Sequence, residues 1–169
     1  MALSIENSQK KRYFIKSRTT KKGNTTYYLT TKEDESCLDE IPEGYEVFEK
    51  YDSGSLFIRK KIESLFTQVE IDKLRKHLDK NKSIYDYRIN VHGKNIAIYT
   101  AESFRFEERM RIKVFEDGSE RDFEVERYCY RGSVDDWITI GSESDIDKIG
   151  TEYLIHLGKE SYYELNRII

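Results

Sequence analysis

Two stretches of this chain bring together side chains that could do chemistry. The first is basic and aromatic. Alternate residues of an extended strand share a face, which puts Arg12, Phe14, Lys16 and Arg18 on one side. Tyr28, Thr30 and Lys32 share a face on the strand that would pair with it, and Lys21 and Lys22 lie between. Cations interleaved with rings suit phosphate neutralisation and base stacking. The candidate nucleic-acid surface is therefore Arg12, Lys16, Arg18, Lys21 and Lys22 for charge, with Phe14 and Tyr28 for stacking. Two plainer readings stand beside it. In one, Phe14 and Tyr28 bury the sheet while the lysines keep an exposed ribbon solvated. In the other, the basic segment docks on the acidic remainder of the chain or of another subunit.

The second stretch runs from Tyr128 to Trp137 (YCYRGSVDDW). A strand ends there, and a tight turn collects a thiol, a guanidinium, a hydroxyl and two carboxylates beside the only tryptophan. Loops at strand ends often hold sites. The candidate pocket is Arg131, Ser133, Asp135, Asp136 and Trp137, with Arg131 clamping a phosphate or carboxylate and an aspartate serving as base or metal ligand. The structural alternative carries more weight. There Arg131 pairs with an aspartate, Ser133 or Asp135 caps a helical turn, and Trp137 anchors the core.

Other chemistry is disfavoured by what the sequence lacks. There is no GxxxxGK[ST], GxGxxG or GxSxG pattern, and no CxxC or HExxH. His77, His92 and His156 show no ligand spacing. No catalytic residue, metal ligand or cofactor is assigned. Cys129 falls on the apolar side of its strand and reads as an inert buried thiol.

Charge is distributed unevenly. Residues 1–32 hold eight bases and one acid, a net +7, while the remaining residues carry -10. This asymmetry marks an interaction surface without naming its partner. Nucleic acid is the first expectation for a non-enzymatic binding protein. A protein-interaction or accessory domain with an acidic, tyrosine-rich surface is the second, and an enzyme at the 128–137 turn the third. With 13% aromatic residues the chain can build a core despite being 36% charged. The opening residues lack a signal peptide's apolar run, and no stretch is long enough to span a membrane. A soluble, cytoplasmic protein with Cys37 and Cys129 both reduced is the expectation, its oligomeric state open.

The elements that must hold these residues read mainly as antiparallel hairpins. RYFIKSR and TTYYLTTK flank a turn at Gly23-Asn24, and YEVFEKY and SLFIRKK flank Asp52-Ser53-Gly54. A helix over 68–80 is expected from the capping box Thr67/Glu70, the staple pair Phe66/Ile71 and the buried face Ile71, Leu74 and Leu78. A third hairpin turns at His92-Gly93-Lys94. Residues 104–114 alternate, with Phe104, Phe106, Met110, Ile112 and Val114 assigned to the core face and Glu108 out of step. A partner strand follows over 121–130. The C-terminal part reads as helical, with Ser144 as N-cap, Gly158 as stop and a last short helix docking Tyr162, Leu165 and Ile168. Runs of sheet without βαβ alternation make the class α+β. The expected organisation is a flexible segment 1–11 and one compact domain 12–169. A possible variant divides it into a β-hairpin subdomain 12–61 packed on 67–169, with a boundary near 62–66.

Overall fold

A computed structural model describes residues 1–167. The class is α+β, with mostly antiparallel sheet. The chain divides into two compact units, one ending at Ile62 and the other beginning at Glu63.

The first unit has two sheets. Strands β1 (Ile5–Glu6), β2 (Arg12–Thr19) and β3 (Thr25–Thr30) pair antiparallel in that order. Strands β4 (Tyr45–Lys50) and β5 (Ser55–Lys60) form a separate hairpin. The β2–β3 turn closes at Thr19 and Thr25, and Gly23 adopts the positive φ of 85° that the turn requires. Phe14, Ile15, Cys37 and Leu56 are buried. Segment 1–11 makes polar contacts within the unit. The buried Asn7 side chain donates to the Gly54 carbonyl at 2.6 Å and accepts the Lys11 N–H at 2.8 Å. The Leu3 N–H reaches the Leu38 carbonyl at 3.0 Å.

The second unit begins with α1 (Gln68–Lys80). Both halves of its capping box form, since Thr67 accepts the Glu70 N–H and Glu70 accepts the Thr67 N–H. Phe66 is buried, Ile71 packs on the core, and Asn81 ends the helix. Five strands follow: β6 (Tyr87–His92), β7 (Asn95–Glu102), β8 (Arg105–Asp117), β9 (Glu120–Arg131) and β10 (Val134–Glu143). Their order is β10-β9-β8-β7-β6, a pure antiparallel meander. Then come α2 (Ile146–Glu152) and two 3-10 turns, Leu154–His156 and Glu160–Glu164. One sheet face, with Ile96, Ile98, Met110, Ile112, Val114, Phe123 and Val125, shares a core with Leu74, Leu78, Ile149, Leu154 and Leu157.

Four sequence expectations need correction. Residues 134–143 form a strand, so the 128–137 stretch is a β-hairpin in which neither Ser133 nor Asp135 caps a helical turn. Asp145, not Ser144, caps α2, because its carboxylate reaches the Asp147 N–H at 2.9 Å. The last helix forms and docks Tyr162 and Leu165 as expected, but it is a 3-10 helix ending at Glu164, and Ile168 lies outside the described residues. The fourth concerns β8. Ile98 of β7 faces Met110, but Tyr99 faces Glu108, so Arg109 is the extra residue of a β-bulge. The bulge resets the alternation. Phe106 and Glu108 turn to the face away from the core, where Arg88 stacks 4.7 Å from the Phe106 ring centroid and Glu108 pairs with Arg111 at 2.5 Å. Phe104 sits in the β7–β8 turn, 99% exposed.

Candidate functional site

The β2–β3 hairpin divides into a seated half and an exposed half. Phe14 is 7% exposed and offers no ring to a base. Lys16 is held in an ion pair by Asp34 from the acidic loop that follows β3. That partner and Ser36 hold the Asp34 carboxyl down at about 2. Arg12 stands 3.6 Å from Glu6 across the β1–β2 ladder.

Beyond Lys16 the picture changes. Ser17 to Thr19 and Lys21 to Thr26 are all exposed, and among the described residues Arg18, Lys21 and Lys22 are in no ion pair. Arg18 lies over the Tyr28 ring at 5.0 Å, and Tyr28 is 37% exposed. Of the sequence-selected residues, the fold brings Arg18, Lys21, Lys22 and Tyr28 together on an open ribbon. It takes Phe14 and Lys16 into the unit's own structure.

The 128–137 hairpin behaves differently from its sequence reading. Ser133 is exposed in the turn beside Gly132, whose φ is 64°. Asp135 accepts the Tyr128 hydroxyl, and Asp136 accepts the Trp137 N–H at 2.7 Å. Trp137 is not a core anchor. It faces away from the core, with the Arg111 guanidinium 3.8 Å from its ring centroid and Tyr128 edge-on at 5.7 Å. Neither aspartate meets Arg131, so no acid–base pair is assembled at the turn.

A cavity nevertheless opens next to Arg131, and the bulge explains its position. The β8–β9 ladder ends at Met110 and Arg127. Past that pair, β8 is laddered only to β7, while residues Tyr128–Arg131 of β9 are laddered only to β10. The sheet thus splits at one corner. A cavity of about 400 Å³ there is lined by Arg109, Arg127, Tyr128, Cys129, Tyr130, Arg131, Tyr162 and Tyr163. No carboxylate side chain is among them. Tyr162 is wedged beside two guanidiniums, 5.9 Å from Arg109 and 5.5 Å from Arg127, and donates its hydroxyl to the Arg109 carbonyl at 2.6 Å. Burial pushes the Tyr162 hydroxyl up to about 12, against the opposing pull of the two arginines.

Arg109, Arg127, Tyr162 and Tyr163 were not selected from sequence. Two signals pointed to the two arginines. Glu108 broke the alternation of its strand, as a bulge makes a strand do, and Arg127 sat between Val125 and Cys129 on an apolar face. A cation at such a position is either paired or part of a site.

No cluster of three or more His, Cys, Asp or Glu suited to a metal occurs among the described residues. No helix among them is long and apolar enough to cross a membrane. No family model matches this chain, and no curated protein or solved structure matches it either.

Proposed function

We propose that this protein is a non-enzymatic binder of nucleic-acid backbone acting through the exposed end of its β2–β3 ribbon. The observation that carries the reading is the exposed residues 17–19 and 21–26, with Arg18, Lys21 and Lys22 in no ion pair among the described residues, next to the Tyr28 ring. Cations of this kind gain by releasing the counterions condensed on a phosphate chain. A two-stranded ribbon also has the width that a DNA major groove admits. Arg12 stands near Glu6 and contributes less, while Lys16 serves to hold the acidic loop. A reducing, cytoplasmic compartment belongs to the same proposal, supported by the free thiols of Cys37 and Cys129.

The test is fluorescence anisotropy of labelled single- and double-stranded oligonucleotides titrated with the full chain at several salt concentrations. The reading requires binding that weakens steeply with salt. Absence of binding at low salt rejects it.

A second reading, a protein-interaction module, draws on the sheet face opposite the helices. Arg88 over Phe106 and Arg111 over Trp137, with Tyr128 alongside, are the residue types that dominate protein interfaces. Sizing chromatography of the full chain at moderate salt distinguishes it, since a self-associating or partner-bound species supports it and a salt-insensitive lone monomer does not.

A further inference from the structure

The cavity at the split corner of the five-stranded sheet contains a charge that no carboxylate among the described residues balances. Arg127 is 5% exposed, and its hydrogen bonds all go to main-chain carbonyls. Nε donates to Leu165 at 2.6 Å, Nη1 to Tyr128 at 3.0 Å and Nη2 to Tyr163 at 3.2 Å. A guanidinium has five N–H groups, so two remain available. Carbonyls orient the group without neutralising it. Among the described residues no carboxylate pairs with Arg127, and a buried cation without a counter-ion is costly.

Its neighbours sharpen the contrast. Arg109, on the same cavity wall, is balanced by Glu102 at 2.7 Å and Glu107 at 2.9 Å. Arg131 is exposed at the mouth and in no ion pair among the described residues. It lies four residues beyond Arg127 on the same strand face, roughly 13 Å along at an extended rise. Tyr163 lines the cavity with its side chain 55% exposed, edge-to-face with Tyr162 at 5.1 Å. A volume of about 400 Å³ is in the range of small-molecule sites.

We propose that this cavity binds a small organic oxyanion carrying a flat ring, with the anion seated on Arg127, the ring against Tyr163 and Arg131 covering the mouth. A guanidinium fork matches the two oxygens of a carboxylate or phosphate, and a bound anion supplies the missing counter-charge. The ring has two faces on offer, a phenol and a guanidinium. A nucleoside monophosphate and an aryl phosphate or carboxylate share this chemistry.

Isothermal titration of the full chain with adenosine 5′-monophosphate, O-phospho-L-tyrosine and benzoate tests the proposal and separates the sources. Adenosine serves as the uncharged control. The expected result is saturable 1:1 binding of at least one anionic probe, with adenosine at least tenfold weaker. Because Arg127 is buried, the exposed positions carry the mutational test: Arg131→Ala and Tyr163→Ala each weaken binding about tenfold without moving the unfolding midpoint. The charge-reversed ribbon, Arg18→Glu with Lys21→Glu and Lys22→Glu, leaves this binding unchanged, because the ribbon supplies no residue to the cavity lining. The proposal is overturned if no probe binds at millimolar concentration, if adenosine binds as well as its phosphate, or if both exposed substitutions leave the affinity intact.

Discussion

The Arg18 guanidinium and the Tyr28 ring stack at 5.0 Å, diagonally across the β2–β3 ladder in which Arg18 faces Thr26 and Tyr28 faces Lys16. The stack holds a cation and a ring in one orientation at the point where the ribbon leaves the rest of its unit. Side-chain freedom is partly given up before any ligand arrives, and that lowers the cost of binding.

Reversing charge at Arg18, Lys21 and Lys22 should therefore abolish oligonucleotide binding at moderate salt while leaving the unfolding midpoint within the small range of surface substitutions. The slope of log affinity against log salt falls by about 0.9 for each phosphate that is no longer neutralised, so removing all three cations reduces it by roughly 2.7. Anisotropy at several salt concentrations, extended low enough to detect residual binding, measures both effects. Equal slopes for the two proteins would show that the ribbon touches no phosphate.

Asp34 should titrate far below an ordinary carboxyl. Its folded value of about 2 lies under the ordinary 3.8, so the pairing with Lys16 is complete above 3.8 and is lost as pH falls towards 2. A carbon-detected NMR titration reads the midpoint directly. In Lys16→Met the midpoint should move up towards 3.8, and an unchanged midpoint would remove Lys16 as its cause.

Gly141→Ala should destabilise the second unit. Gly141 is buried, and a Cβ there would overlap the Tyr153 hydroxyl and ring. Crowding of this kind costs about 1–3 kcal/mol. Urea unfolding gives the value, and adding Tyr153→Ala should make the glycine substitution nearly neutral. If the alanine remains equally costly without the tyrosine, the clash is not the reason.

Tyr162 links stability to alkaline pH. Its hydroxyl titrates at about 12 in the folded chain against 10.0 ordinarily. Between those values the folded state keeps a proton that the unfolded state has lost, so stability falls as pH rises through the window and is unaffected below it. Tyr162→Phe should flatten part of that decline and cost about 1 kcal/mol at neutral pH through the missing bond to the Arg109 carbonyl. Chemical denaturation at pH 8 and at pH 11 tests both signs.

The elements with local punctuation were legible in the sequence. Thr67, Glu70 and Phe66 announced α1, and the glycines at 23, 54 and 93 marked hairpin turns, each with positive φ. Strand β10 was also within reach, because Val134, Ile138 and Ile140 leave an apolar trace through WITIG, but the polar cluster before it drew the reading towards a site. Of the residues chosen for the basic ribbon, Arg18, Lys21, Lys22 and Tyr28 lie on its open end. What could not be seen was that Asp34 would return to Lys16, since that depends on how the loop after β3 folds back, or that Phe14 would be buried. The cavity beside Arg131 is a tertiary product in the same way. It needs Tyr162 and Tyr163 from the end of the chain and a ladder that ends at Arg127.

The extra residue at Arg109 also decides where β8 can change length. Elsewhere along a strand, removing one residue turns everything beyond it over, exchanging inward for outward side chains. At Arg109 the ladder already counts two residues against one, with Glu108 and Met110 facing consecutive positions of β7. Removing Arg109 would leave Phe106, Glu108, Met110 and Ile112 each facing as they do now. For this strand, then, a deletion at position 109 is the mild event and a deletion at the adjoining Met110 the severe one, although the two differ by a single codon.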